Sequence, residues 1–193
     1  FNLFYSKIMR HRLFIAINLP ENIKNKLSVF QSKWPELPAR WTKKQNLHIT
    51  LVFLGYVKDE ELPEMLKIIE EIGNKHSSFS INLNKICYGP PKKTPRMVWA
   101  VGESSKELGK LKKDLENSLS NVSLEEKTRP YSPHITLSRI RQWEFRQIEL
   151  DERSNIEENI NLSFEVNSIE IMESQLKRTG AEYSVLQSFP LKP

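Results

Sequence analysis

Asn46-Leu47-His48-Ile49-Thr50-Leu51-Val52-Phe53-Leu54-Gly55 and Pro133-His134-Ile135-Thr136-Leu137-Ser138-Arg139 carry the same tetrapeptide, His-Ile-Thr-Leu, in two β-rich settings. The chain has 4 histidines in 193 residues, and half of them stand in this motif. Random placement would give far less than one His-x-Thr pair. On a strand, residues i and i+2 share a face. Each motif therefore points an imidazole and a hydroxyl one way and buries its Ile and Leu the other. Two such strands predict two similar halves about a pseudo-twofold axis, with His48 and His134 facing across a groove.

Working outward, Leu13 to Leu19 is β-rich and Pro20 suits the first turn of a helix. Ile23, Leu27, Phe30 and Trp34 follow at helical spacing until Pro35 stops them. A strand over Leu47 to Leu54 ends at Gly55. Asp59 caps a helix carrying Leu62, Met65, Leu66, Ile69 and Ile72, closed by Gly73. Strands at Phe79 to Tyr88 and Met97 to Val101 flank a Gly/Pro/Lys loop. Ser104 and Glu107 form a capping box for the helix of Leu108, Leu111, Leu115 and Leu119. His134 to Ile140 is a strand, and Trp143 to Asn159 a partly helical connection. Phe164 to Met172 and Glu182 to Phe189 read as a hairpin around Lys177 to Gly180. Interleaved strands and helices without a low-complexity linker give one α+β or α/β domain over 9–193, taken as α+β. Phe1 to Ile8, before Met9, reads as a non-native or upstream extension.

Composition agrees. The chain is 22.7 kDa with mean hydropathy −0.51, 38% hydrophobic and 27% charged, the profile of a soluble globular protein with a real core. No apolar run reaches the length of a membrane helix. One cysteine, Cys87, excludes an internal disulfide and indicates a reducing compartment, with cytoplasm the default. It reads as a small buried strand residue. A net charge of +5 is compatible with a nucleic-acid or phosphate ligand.

Paired imidazoles suit acid/base work, because histidine titrates near neutrality and one ring can accept a proton while the other donates. Thr50 and Thr136 add neutral donors for anionic oxygens, and Arg139 a fixed fork of positive charge. In-line attack on a phosphodiester needs this set. The residues alone do not say which histidine is the acid. HExxH, paired histidines four apart and a cysteine cluster are all missing, so no metal or other cofactor is expected. A GxSxG elbow, a Walker loop and GxGxxG are missing too. His11 and His76 stand alone and read as surface residues. Lys43, Lys44, Lys92, Lys93 and Arg96 read as solvated loop charge, Phe14 as core packing, and Tyr131 as a residue placed to stack a base.

The chain resembles the RNA 2′,3′-cyclic phosphodiesterase family, also called the 2′-5′ RNA ligase family, of the two-histidine phosphoesterases. The likeness runs from about Arg12 to Pro190. It is carried by Arg12-Leu13-Phe14-Ile15-Ala16, Asn46 to Gly55, Arg96-Met97-Val98-Trp99-Ala100, Arg129 to Arg139 and the tail Met172 to Leu176 with Gly180 to Leu186. Asp151 to Asn161 lies outside any pattern of the family. The resemblance implies a bilobal fold of two antiparallel sheets flanked by helices around a central groove. It implies metal-independent hydrolysis of an RNA 2′,3′-cyclic phosphate end, tRNA fragments among them, to a 2′-phosphomonoester, with 2′-5′ ligation as the reverse reaction, by a monomer. By that likeness His48 is the proton donor, His134 the proton acceptor, and Thr50, Thr136 and Arg139 hold the phosphate with Tyr131 beside them. Two other readings use the same residues: a non-catalytic nucleotide- or RNA-binding module, and a small cyclic-nucleotide phosphodiesterase.

Overall fold

The computed structural model describes residues 10–103, 105–120, 132–178 and 180–193. Among the described residues there are nine strands: β1 (Arg10–Asn18), β2 (Ala39–Trp41), β3 (His48–Lys58), β4 (Phe79–Gly89), β5 (Met97–Gly102), β6 (His134–Ile140), β7 (Glu157–Val166), β8 (Ser168–Lys177) and β9 (Gly180–Pro190). The helices are α1 (Glu21–Ser28), α2 (Leu62–Gly73), α3 (Lys106–Leu119) and α4 (Gln142–Gln147). None of the described helices is long and apolar enough to cross a membrane.

The strand order β7-β4-β5-β6-β3-β1-β8-β9 is symmetric about its middle, with four strands on each side and β2 added beside β6. All sheet pairings are antiparallel. The expected two half-sheets are present, and they join into one sheet through a single residue pair, Ile49↔Ile135. Away from that pair β3 follows β1 and β6 follows β5, so the halves splay apart on either side of the join. Ile49 and Ile135 are 1% and 0% exposed. They point into a core shared with Ile23 and Leu27 of α1, Met65 and Ile69 of α2, Leu108 and Leu111 of α3 and Phe145 of α4. Each such fully buried side chain contributes about 1.5–3 kcal/mol of transfer free energy. The helices thus cover one face of the sheet and leave the other for His48 and His134.

Several boundaries differ from the sequence expectation. The helix expected to run to Trp34 is α1 only as far as Ser28, then a 3₁₀ turn over Val29–Ser32. Gly55 does not end its strand. It sits inside β3 at φ 73°, where a bulge lets pairing with β1 continue to Lys58. Asp59 is not a cap: Glu61 takes the N-cap position of α2 and accepts the Lys58 N–H. Ser104 lies outside the described residues, and α3 is capped by Ser105, whose Oγ accepts from Leu108 N and donates to Glu107. The stretch Trp143 to Asn159 holds most of α4 and the first three residues of β7, and Phe164 to Met172 is the end of one strand and the start of the next. Cys87 is half-buried on β4.

Candidate active site

Residues directly opposite in an antiparallel pair share a face. Since Ile49 and Ile135 are paired toward the core, His48, Thr50, His134 and Thr136 all face the groove. Each motif strand then carries a bulge at the same place. On β3, Ala16↔Thr50 is followed by Ile15↔Val52, leaving Leu51 extra. On β6, Trp99↔Thr136 is followed by Val98↔Ser138, leaving Leu137 extra. Leu51 and Val52 are both buried, as are Leu137 and Ser138. The bulge inverts the alternation, so the next groove-facing residues are Phe53 on one strand and Arg139 on the other. Strict alternation would have sent Arg139 into the core with Leu137.

The two imidazoles are held alike. His48 Nδ1–H donates to the Asn46 carbonyl and His134 Nδ1–H to the Ser132 carbonyl, each at 2.7 Å. A carbonyl only accepts, so Nδ1 carries the hydrogen and Nε2 is the reactive nitrogen in both rings. The Thr50 hydroxyl lies 3.0 Å from His48 Nε2. Burial pushes His48 down to about 4, and the charges of His134, Lys24 and Arg139 push the same way against the Asn46 carbonyl. Burial lowers His134 as well, with Arg139 adding to it and the Ser132 carbonyl opposing. That each ring feels Arg139, and His48 feels His134, places these groups within one electrostatic site. In the protein alone His48 is neutral at pH 7 and its Nε2 accepts from the Thr50 hydroxyl, while burial favours the neutral form of His134.

Aromatic side chains fix both rings. Trp99 stacks on His134 with ring centroids 3.8 Å apart and planes 18° from parallel. Behind the indole lies Gly89: a Cβ built there would be 2.2 Å from the Trp99 ring. Glycine is therefore required for the Gly89–Trp99–His134 stack to close. On the other half, Ala16 occupies the position equivalent to Trp99. His48 is instead held by Phe14 at 5.0 Å and by the edge of Tyr183 at 5.2 Å. Phe14 is buried, in a small cluster with Ala16 and Met172 separate from the main core.

The structure thus brings together His48, Thr50, His134, Thr136 and Arg139. Tyr131 lies outside the described residues. Arg139 is exposed and donates to Met97 Sδ at 3.6 Å. Lys43 and Lys44 are ion-paired with Glu182 and Glu21, while Lys92, Lys93 and Arg96 stay exposed. His11 and His76 are not simple surface residues. His11 bridges Glu173 at 2.7 Å and Asp59 at 2.8 Å, and His76, 8% exposed, bonds Asp114 at 2.9 Å.

Sequence reasoning missed Trp99 and Tyr183 as ring supports, although both lie in family-like segments. It also missed Arg40, which pairs with Arg139 across β2 and β6, because β2 is too short to show alternation. Lys24, 5% exposed and 3.7 Å from Glu21, adds positive charge felt by His48, and Asn18 lies opposite His48 with a buried unpartnered Oδ1; neither had a sequence signal. Among the described residues no three His, Cys, Asp or Glu side chains are grouped to hold a metal.

The sequence profile of the LigT-like phosphoesterases matches this chain twice, over residues 17–99 and 101–183, one match to each motif. An RNA 2′,3′-cyclic phosphodiesterase of Methanocaldococcus jannaschii is 31% identical over 179 residues, covering 92% of this chain and 99% of that protein. One from Thermotoga maritima is 31% identical over 91% of this chain and 92% of its own. Among solved structures, a Thermus thermophilus protein superposes with a TM-score of 0.81 at 27% identity over 95% of this chain and 98% of its own. E. coli LigT complexed with 3′-AMP gives 0.80 at 25% identity over 96% of this chain and all of that one.

Proposed function

The chain belongs to the LigT-like phosphoesterase family, and from that premise we propose that it hydrolyses the 2′,3′-cyclic phosphate at an RNA end to a 2′-phosphomonoester, without a metal ion. The observation that carries this reading is the Ile49↔Ile135 pairing, which sets two carbonyl-anchored imidazoles and two threonines on one face beside Arg139.

In this reading the cyclic phosphate lies between the rings, with its non-bridging oxygens on Thr50, Thr136 and the Arg139 fork. His134 Nε2 takes a proton from water as the water oxygen bonds to phosphorus. The bond from phosphorus to O3′ breaks, and His48 Nε2–H delivers a proton to O3′. His48 must be protonated to do so, and the phosphate anion supplies the reason, since a negative charge beside the ring opposes the depression that burial imposes. With an RNA 5′-hydroxyl in place of water, the same steps join two strands through a 2′,5′-phosphodiester.

The test is incubation of the protein with an RNA ending in 2′,3′-cyclic phosphate, in chelator, followed by mapping of the product. A 2′-phosphate end formed at undiminished rate supports the reading. A 3′-phosphate product, or activity abolished by chelator and restored by one metal, overturns it.

A further inference from the structure

Strand β5 lends one side chain to each of two groups that β6 offers to the groove. Trp99, opposite Thr136, stacks on His134, and Met97, opposite Arg139, accepts from the Arg139 guanidinium at 3.6 Å. Residues directly opposite share a face. The bulge that turns Arg139 to the groove therefore sets the Met97 thioether beside it. On its other side Arg139 faces Arg40 of β2, and among the described residues no carboxylate is ion-paired with Arg139. A thioether is a weak acceptor. It aims the guanidinium without competing for it, and Arg139 can still close on a phosphate.

The sulfur is also within reach of water. Met97 is half-buried, whereas Met65 and Met172 are 0% and 3% exposed. Oxidation would replace the weak acceptor with a strongly polar sulfoxide. A hydrogen bond from a guanidinium to such an oxygen is charge-assisted, roughly twice as strong as a neutral one.

We infer that Met97 is an oxidation site that governs Arg139. Hydrogen peroxide transfers one oxygen to Sδ: the O–O bond breaks, an S–O bond forms, the sulfur is oxidised, and the other peroxide oxygen leaves as water. The sulfoxide oxygen then binds the guanidinium and withholds it from the phosphate. A dithiol acting through methionine sulfoxide reductase reverses the step, the sulfoxide oxygen leaving as water while the dithiol becomes a disulfide. The inference rests on the RNA reading above and adds control of that same site by oxidants.

The test treats the protein with hydrogen peroxide at a dose that adds a single oxygen, located by peptide mass mapping. Two quantities are then measured: kcat/KM on an RNA ending in 2′,3′-cyclic phosphate, and affinity for an RNA ending in 2′-phosphate by fluorescence anisotropy. Met97 should take the oxygen ahead of Met65 and Met172. Both quantities should fall roughly tenfold, the worth of one hydrogen bond to a charged group. Methionine sulfoxide reductase with dithiothreitol should restore them. Dithiothreitol alone should not, which separates Met97 from the half-buried Cys87. In Met97→Leu the same dose should change neither quantity. Met97→Gln, which carries a carbonyl oxygen on a side chain of similar length, should start near the oxidised level. In Arg139→Ala, oxidation of Met97 should cost nothing further, because the group it acts through is gone.

A parent that binds the RNA and loses affinity on oxidation, yet hydrolyses no cyclic phosphate, keeps the Met97 inference and sinks the hydrolase reading. A loss that dithiothreitol alone restores, or that persists in Met97→Leu, overturns the inference. So does oxidised protein that binds and turns over as before. A parent that neither binds nor hydrolyses the RNA overturns both.

Discussion

A histidine whose Nδ1–H is held by a carbonyl has one nitrogen left for chemistry, and at both motifs that nitrogen is Nε2. Both rings are depressed below the ordinary 6.5. The bell in kcat/KM, which reports the free protein, should therefore lie on the acid side of 6.5. The alkaline limb of kcat should sit at higher pH, because the bound phosphate raises His48. His134→Ala should remove the acidic limb and His48→Ala the alkaline one, each costing about 10²–10⁴-fold. A substrate with a good leaving group should rescue only the His48 variant, and rescue of the His134 variant instead would reverse the assignment. For Arg139, Ala should lower kcat/KM more than Lys does, and Lys more than Lys92→Ala, because a point charge replaces the field but not the bidentate fork. Equal small effects would remove Arg139 from the site. The two histidines and threonines were legible in the sequence because their spacing is the strand period. Arg139 was named from its nearness to the motif, but its facing depends on a bulge that no residue type announces.

The strands that carry these residues are shaped by small details of packing. Gly89 on β4 leaves a gap that the Trp99 indole of β5 fills, and His134 of β6 lies on the far side of that indole. Gly89→Ala should push the indole toward His134, costing about 1–3 kcal/mol as an overpacked site and lowering kcat more than it raises KM. Trp99→Phe should keep most of the turnover and Trp99→Ala should lose it, although neither touches the substrate. Trp99→Ala with full kcat would show that the stack does not set the ring. Elements with long apolar stripes, α2 and α3, were readable, and so were the strands built on Leu13 to Leu19 and on the two motifs. β7 was misread although Ile160, Leu162, Phe164 and Val166 alternate along it, because its Asn, Glu and Ser content is unfavourable for strands. As an edge strand paired only with β4 it tolerates that content. The end of α1 was misplaced because Phe30 and Trp34 keep apolar spacing across a 3₁₀ turn, with Phe30 stacked on Trp34 and Trp34 on Trp41 instead of continuing a helix.

Across the whole molecule, the histidines tie stability to pH in opposite directions. His48 and His134 are depressed on folding, so their stabilising effect is complete above the unfolded 6.5 and is lost as pH falls, for His48 down to about 4. For His48 this amounts to at most about 3 kcal/mol. The lowered carboxylates, such as Glu173 and Glu182, titrate below their ordinary 4.5, so the window from 6.5 to 4.5 belongs to the histidines. His11 works the other way. Its bonds to Glu173 and then Asp59 raise it, so its contribution is complete below 6.5 and fades as pH rises through the folded value. Asp59 is 58% exposed, which limits that term to under about 1 kcal/mol. Its place matters more than its size, because the His11–Glu173 contact ties β1 to β8 and the His11–Asp59 contact ties β1 to the chain just past β3. Thermal melts from pH 4 to pH 9 at low salt should give a Tm maximum near neutrality, with the steeper decline on the acid side. His48→Ala should flatten the decline between 6.5 and 4.5 while leaving the alkaline side as it is. His11→Ala should lower Tm near neutrality and flatten the alkaline side alone. An acid decline equally steep in the His48 variant would assign that slope to His134 or to carboxylates, and an alkaline side unchanged in the His11 variant would show that its two carboxylate partners do not hold it charged.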